Sequence, residues 1–133
     1  MRLAAIALLS AAALVSGCQS GGQQAPATDG KSAALRNMEQ VAIAAHRCWI
    51  ASRDPAFRDY SFANELNSFS GRPRFLHVPK NNFGGRPLLV VQAEGASGQV
   101  STFGPLLQGE HAQRINGDIA RWKAGNPSCS GSA

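Results

Sequence analysis

The spacing of apolar residues changes twice along the 133-residue chain, and this restricts the fold more than any other feature of the sequence. From about Ser32 to Ala51, apolar residues recur every three or four positions, which is typical of a helix with one buried face. From Pro55 to Gly104, short extended runs alternate with Gly, Pro and Asn. A second helical stripe follows, formed by Ala112, Ile115, Ile119 and Trp122.

Four extended runs lie between the two helical segments. Leu88–Glu94 is rich in aliphatic and β-branched residues, so we expect it at the centre of a sheet. Arg74–Val78 lies between two prolines, which cannot donate to a strand ladder, so we expect an edge or short strand there. Gln99–Phe103 is a third strand, and Tyr60–Leu66 fits either a strand or a helical turn. The pattern predicts an α+β two-layer sandwich: a helix, three or four antiparallel strands, and a helix, with both helices on one sheet face.

The N-terminus has a different pattern, a short apolar run. Residues 3–15 follow Arg2 and contain one polar residue, Ser10. Thirteen residues rise only about 20 Å as a helix, whereas a bilayer core is roughly 30 Å thick. The run is therefore typical of a secretory signal and not of a membrane span.

The end of this run, Leu14-Val15-Ser16-Gly17-Cys18, resembles the lipobox of bacterial lipoproteins: an aliphatic residue, two small residues and a cysteine. The resemblance implies cleavage before Cys18, a diacylglyceryl group on its sulfur and acylation of the new N-terminus. Two or more acyl chains anchor a protein stably to a membrane. Gln19 is permissive for outer-membrane sorting in enteric bacteria, so we expect an envelope protein on the outer membrane that faces the periplasm. The alternative is an ordinary secretory signal with a coincidental cysteine.

Four segments follow from these patterns: a signal peptide (1–17), a lipidated cysteine with a flexible tether (18–31), a single α+β domain (32–129) and a disordered tail (130–133). Residues 19–30 contain no aromatic residue and no aliphatic residue larger than Ala. Such a segment cannot bury enough surface to offset its ordering entropy, which is the basis for predicting a tether.

Two cysteines remain once Cys18 is lipidated. In an oxidising compartment, Cys48 and Cys129 are interpreted first as a disulfide, which would join the first helix to the C-terminal tail. The alternative is two separate buried thiols. Neither cysteine has a second ligand at metal-site spacing nearby, so we expect no metal and no other cofactor.

The three histidines do not form a recognisable catalytic or metal-binding motif. A surface or structural role is favoured for each of His46, His77 and His111. The alternative to a binding function is an envelope enzyme, a glycan or glycolipid hydrolase that uses His77 or His111 as its acid or base.

Positive charge is the one compositional anomaly of the predicted domain. The chain has thirteen Lys and Arg against eight Asp and Glu, a net charge of +5, which becomes +4 without Arg2. Residues 66–93 contain no acid. Their four cations and one loop aromatic are candidate contacts for an anionic envelope component: Arg72, Arg74, Lys80, Phe83 and Arg86.

This candidate contact site predicts a non-catalytic binding or assembly role in the cell envelope. Its partner would be a protein with an acidic face, an anionic glycan or an anionic lipid, and not a nucleic acid. The site requires its cations to be exposed and free of intramolecular carboxylate partners. The simpler interpretation, favoured by the sequence, is a solvated basic edge that discourages aggregation between sheets.

Overall fold

Residues 30–130, the part of the chain that the computed structural model describes, form two helices and a four-stranded antiparallel sheet. The predicted signal, Cys18 and most of the predicted tether lie outside the described residues, as do residues 131–133. The elements are α1 (Ala33–Ala45), a π-helical turn (His46–Ala51), β1 (Tyr60–Glu65), β2 (Arg74–Pro79), β3 (Leu89–Glu94), β4 (Gln99–Phe103) and α2 (Ala112–Lys123). This is the predicted α+β two-layer arrangement. No helix within residues 30–130 is long and apolar enough to cross a membrane.

The first helix begins where the sequence predicts it. The Ser32 hydroxyl accepts a hydrogen bond from the Leu35 N–H at 3.1 Å, which satisfies one of the free donors at the helix N-terminus. Met38, Val41 and Ala45 then form a fully buried stripe against the sheet. The helix widens into the π-helical turn, which places Cys48 and Trp49 in the core.

The sheet is a meander in which each strand pairs with its sequence neighbours, in the order β1-β2-β3-β4. Alternate side chains of the two interior strands, such as Phe75 on β2 and Leu89 and Val91 on β3, enter one core together with Ile115 and Trp122 of α2. The interior position of β3 confirms the prediction for Leu88–Glu94.

Of the two alternatives predicted for β2, an edge or a short strand, the edge position is wrong, because β2 lies between β1 and β3. Its two flanking prolines lie at the ends of its pairing with β3, so that at most one terminal ladder bond, from residue 73, is lost. The Pro73 carbonyl accepts from the Ala93 N–H at 3.0 Å, and Pro79 lies beyond the last pair with β3, His77–Leu89. Proline is unfavourable within an interior strand because its missing N–H would have been paired there, but it is tolerated at the ends of the strand.

The one acid of α2 is buried, because it lies three positions after Ile115 and four before Trp122, beside the apolar stripe of the helix. Asp118 is 1% exposed and accepts hydrogen bonds from Trp49 Nε1 at 2.8 Å and from Arg121 Nη2 at 2.5 Å. The buried carboxylate therefore joins α2 to the π-helical turn, and its charge is compensated by arginine.

Cys48 and Cys129 form a disulfide, with their Cα atoms 5.3 Å apart. The bond holds the C-terminal segment against the end of the first helix, as the sequence predicts. Trp122 Nε1 also donates to the Ser128 carbonyl at 2.9 Å, so the segment has hydrogen-bonded as well as covalent attachment.

Candidate functional site

Two of the predicted contact cations have carboxylate partners. Arg74 Nε lies 2.5 Å from Glu65 Oε2, and Arg72 Nε lies 3.1 Å from Glu94 Oε2. Glu65 and Arg74 are directly opposite each other in the β1–β2 register. The expectation that these two arginines are free of carboxylates is therefore wrong, because strand pairing brings acids to them from outside residues 66–93.

The other three predicted contact residues lie at the β2–β3 connection, and all are exposed. Phe83 is 64% exposed. Among residues 30–130, neither Lys80 nor Arg86 has an acid within ion-pair distance. Lys80 borders a concave site, whereas Phe83 and Arg86 do not line it.

This site, here called the basic pocket, is a cavity of about 290 Å³ between the π-helical turn and the start of β1. It is lined by Trp49, Ile50, Arg53, Asp54, Phe57, Arg58, Tyr60 and Lys80. Lys80 is held at its border because its N–H donates to the Asp59 carbonyl at 2.9 Å, which extends the β1–β2 ladder. The pocket therefore combines three aromatic side chains with three cations.

Arg53 reaches the pocket from a backbone conformation that L-amino acids rarely adopt. Its φ is +58°, and its N–H donates to the Ile50 carbonyl at 2.9 Å, so it occupies the left-handed position that ends the helix. Glycine is the usual residue there, because a Cβ in this region costs about 1–2 kcal/mol. The Arg53 side chain is thus present despite a local conformational cost, as is common at functional sites.

The pocket has an excess of positive charge. Its one lining carboxylate, Asp54, accepts a hydrogen bond from Arg114, and this bond holds the pKa of Asp54 below its usual value. Arg58 has only a loose contact to Asp59, 3.9 Å between two exposed side chains. Arg53, like Lys80, has no carboxylate within ion-pair distance among the described residues.

His77 lies behind the aromatic lining of the pocket. It is fully buried, and its ring lies 5.5 Å from that of Trp49, 5.7 Å from that of Phe57 and 6.1 Å from that of Tyr60. Neither ring nitrogen has a hydrogen-bond partner in the described part of the chain. Burial lowers the pKa of His77 to about 4, so the ring is neutral at pH 7.

The positions of His77 and His111 do not favour the enzymatic alternative. A substrate cannot reach His77 in this conformation, because no part of its side chain is exposed. His111 Nε2 lies 3.6 Å from Glu110 Oε1, which is longer than a hydrogen bond, and Glu110 is a solvated surface acid. Within residues 30–130, no three His, Cys, Asp or Glu side chains are grouped to hold a metal ion.

A second concave surface, here called the α1–β1 groove, has a volume of about 630 Å³. It is lined by Ala42, Ile43, His46, Arg47, Ala51, Phe62, Asn64 and Leu66. The sequence patterns described above do not predict this groove. The available signal was Ile43, which directly follows Ala42 outside the three- and four-residue apolar spacing and is 65% exposed.

No protein-family model matches the chain, and no curated protein or solved structure matches it. The lipobox resemblance, the basic pocket and the α1–β1 groove are therefore the features from which a function can be inferred.

Proposed function

We propose that this chain is a lipid-anchored, non-catalytic binding protein of the bacterial cell envelope that binds an anionic envelope component in the basic pocket. The observation that carries this proposal is the position of Arg53 and Lys80, which flank an aromatic cavity without carboxylate partners. The lipobox supports the anchor at Cys18, and Gln19, which is permissive for outer-membrane sorting in enteric bacteria, supports a periplasm-facing location on the outer membrane. Anchoring raises the local concentration of the domain beside membrane-bound ligands.

The lining indicates the chemical class of the ligand. Arginine guanidinium groups bind phosphate and carboxylate oxygens through paired N–H donors. Of the three lining aromatics, Trp49 and Phe57 are fully buried and form the floor, whereas half-buried Tyr60 provides the apolar surface against which a sugar ring can pack. A cavity of about 290 Å³ is close to the lower limit for small-molecule sites, roughly 300 Å³. We therefore propose a sugar-sized group bearing phosphate or carboxylate, as found in anionic glycans and glycolipid headgroups.

The anchor is tested by replacing Cys18 with alanine. The parent protein is expected in the detergent phase and the membrane fraction, whereas Cys18→Ala removes the acylated sulfur and moves the protein to the aqueous phase. Ser20→Ala, a small change two positions away, is the matched control and should partition like the parent. Equal partitioning of Cys18→Ala and the parent would contradict the lipoprotein proposal.

The basic pocket is tested in the Cys18→Ala background, so that the lipid does not contribute to binding. We expect Arg53→Gly and Lys80→Ser each to weaken binding to purified lipopolysaccharide about tenfold, the effect of losing a hydrogen bond to a charged group. Arg53→Gly should also leave the free energy of unfolding unchanged or raise it by up to about 1 kcal/mol, because glycine tolerates the left-handed conformation. Isothermal titration and urea unfolding measure the two quantities.

Arg72→Ser is the matched control for general surface charge, because Arg72 is exposed but paired with Glu94. It should change binding less than twofold. Binding by the parent should also weaken between 50 and 500 mM NaCl, because salt screens exposed charges. If Arg72→Ser weakens binding as much as Lys80→Ser, attraction is non-specific and the solvated-edge interpretation is correct.

A further inference from the structure

The free edge of β1 has backbone N–H and C=O groups that form no hydrogen bond to another strand in the described part of the chain. β1 is an end strand of the sheet and pairs with β2 alone among residues 30–130. In an antiparallel pair, residues alternate between hydrogen-bonded and non-hydrogen-bonded positions. The bond from the Lys80 N–H to the Asp59 carbonyl places residues 59, 61, 63 and 65 in the hydrogen-bonded set. The N–H and C=O groups of Phe62 and Asn64 therefore point away from β2, towards the free edge.

The side chains of these same residues line the α1–β1 groove. Phe62 is packed against two rings: its centroid lies 4.8 Å from that of buried Phe75 in a stacked arrangement and 5.4 Å from that of His46 in a T-shaped arrangement. Ala42 and Ile43 of α1 lie on the opposite side, and the alanine leaves space between helix and strand. An edge strand beside an apolar groove is the geometry of peptide recognition by strand addition, in which alternate peptide side chains enter the groove.

The charge of the groove indicates what kind of segment it accepts. Its lining contains His46 and Arg47 and no carboxylate. One guanidinium nitrogen of Arg47 donates to the Pro127 carbonyl, which fixes the side chain. Arginine has five N–H donors, so further donors remain for a ligand. A second copy of this chain, with the same basic groove and a net charge of +4 without Arg2, is a poor electrostatic match.

We propose that the α1–β1 groove binds an extended, acidic segment of a partner protein, which adds to the sheet as a fifth strand beside β1. Apolar side chains of the segment occupy the space between Ile43 and Phe62, and an acidic side chain pairs with Arg47. This goes beyond the proposed function, because the groove and the basic pocket share no lining residue. An acyl chain fits the apolar lining but leaves the edge N–H groups unpaired, so a polypeptide is the better occupant.

The test is selection of a displayed library of random octapeptides on the full chain carrying Cys18→Ala. Selected peptides are expected to alternate apolar and acidic residues. On titration with the best soluble peptide, hydrogen exchange at the amides of Phe62 and Asn64 should slow at least fivefold, because an added strand protects outward-facing N–H groups. This readout uses no substitution in β1. It distinguishes strand addition from contact through side chains alone.

Asn64→Pro and Asn64→Ser form a matched pair for the backbone contact. Both substitutions remove the Asn64 Oδ1 acceptor that the Leu66 N–H uses, but only proline removes the outward-facing N–H. Neither change removes a bond to β2. We expect Asn64→Pro to weaken peptide binding at least fivefold relative to Asn64→Ser, and Arg47→Gln to weaken it and reduce its salt dependence.

Three outcomes would overturn the proposal. In the first, the library yields no peptide that binds the parent better than the Asn64→Pro protein, and in the second it yields basic or helical peptides. In the third, amide hydrogen exchange at Phe62 and Asn64 does not change when the peptide binds. Dimerisation that alone protects these amides would identify a second copy as the occupant. Lys80→Ser should not affect peptide binding, and Asn64→Pro should not affect lipopolysaccharide binding. Failure at one site is therefore distinguishable from failure at the other.

Discussion

Replacing Cys48 and Cys129 together by alanine is expected to lower the free energy of unfolding by about 4 kcal/mol. The disulfide joins residues 81 positions apart, and the chain-entropy relation for a loop of that length gives about 4.5 kcal/mol. Domains of this size are stable by only about 5–15 kcal/mol, so this loss is a large part of the total. Alanine is the suitable replacement because Cys48 is buried and a serine hydroxyl there would need a partner. Urea unfolding of the parent and the double variant measures the difference.

The reducing agent provides the control for this experiment. Dithiothreitol should destabilise the parent to nearly the same extent as the double substitution and have no effect on the variant. A difference below about 1 kcal/mol would show that the hydrogen bonds of the C-terminal segment, such as Trp122 to Ser128, hold it without the covalent link.

Acidification from pH 6.5 to about pH 4 is expected to reduce the free energy of unfolding by about 3 kcal/mol through His77 alone. In the unfolded chain the ring has its ordinary pKa of 6.5, whereas burial lowers it to about 4 in the folded protein. Between these values the unfolded state binds one more proton, so stability is full above pH 6.5 and is lost as the pH falls through this window. Each unit of pKa difference corresponds to about 1.4 kcal/mol.

His77→Leu isolates this contribution. Leucine has a similar volume, does not titrate and removes the two unpartnered nitrogens, so the variant should be more stable by about 1–3 kcal/mol at pH 7 and should show a flatter profile between pH 6.5 and 4. His46 and His111 are present in both proteins and cancel in the comparison. Asp54, whose pKa is lowered from 3.8 by Arg114, loses its contribution only at lower pH. Parallel profiles for the two proteins would show that the pKa of His77 is not lowered in the folded state.

The elements of the fold could be predicted because their signals are local. Apolar spacing and caps such as Ser32 are properties of neighbouring residues, and the helices and strands begin close to the predicted positions. The position of β2 could not be predicted in the same way, since the effect of a proline depends on which strand its missing N–H would face. Pairing of Cys48 with Cys129 followed from the count of cysteines in an oxidising compartment.

The candidate site could be predicted only in part. Lys80 was identified because it lies in a run without acids. Arg53 and Arg58 belong to a different segment, and only the β1–β2 ladder brings that segment beside Lys80 in the basic pocket. The same ladder supplies Glu65 to Arg74, which removes that arginine from the predicted contact site. The hydrogen bond that Asp118 accepts could not be predicted, because helical periodicity gives no information on a buried indole N–H that needs an acceptor.

The disulfide also divides the chain mechanically. It closes a covalent ring from Cys48 to Cys129 that contains all four strands, α2 and every lining residue of the basic pocket. The part of the groove wall formed by Ala42 to Arg47 lies outside this ring, between the ring and the proposed lipid anchor. When the anchor is held in a membrane and the pocket is held by a ligand, tension along the chain acts on α1 through a single strand of backbone, whereas beyond Cys48 it is shared between the two arms of the covalent ring. A pulling force should therefore disturb the groove before it disturbs the pocket.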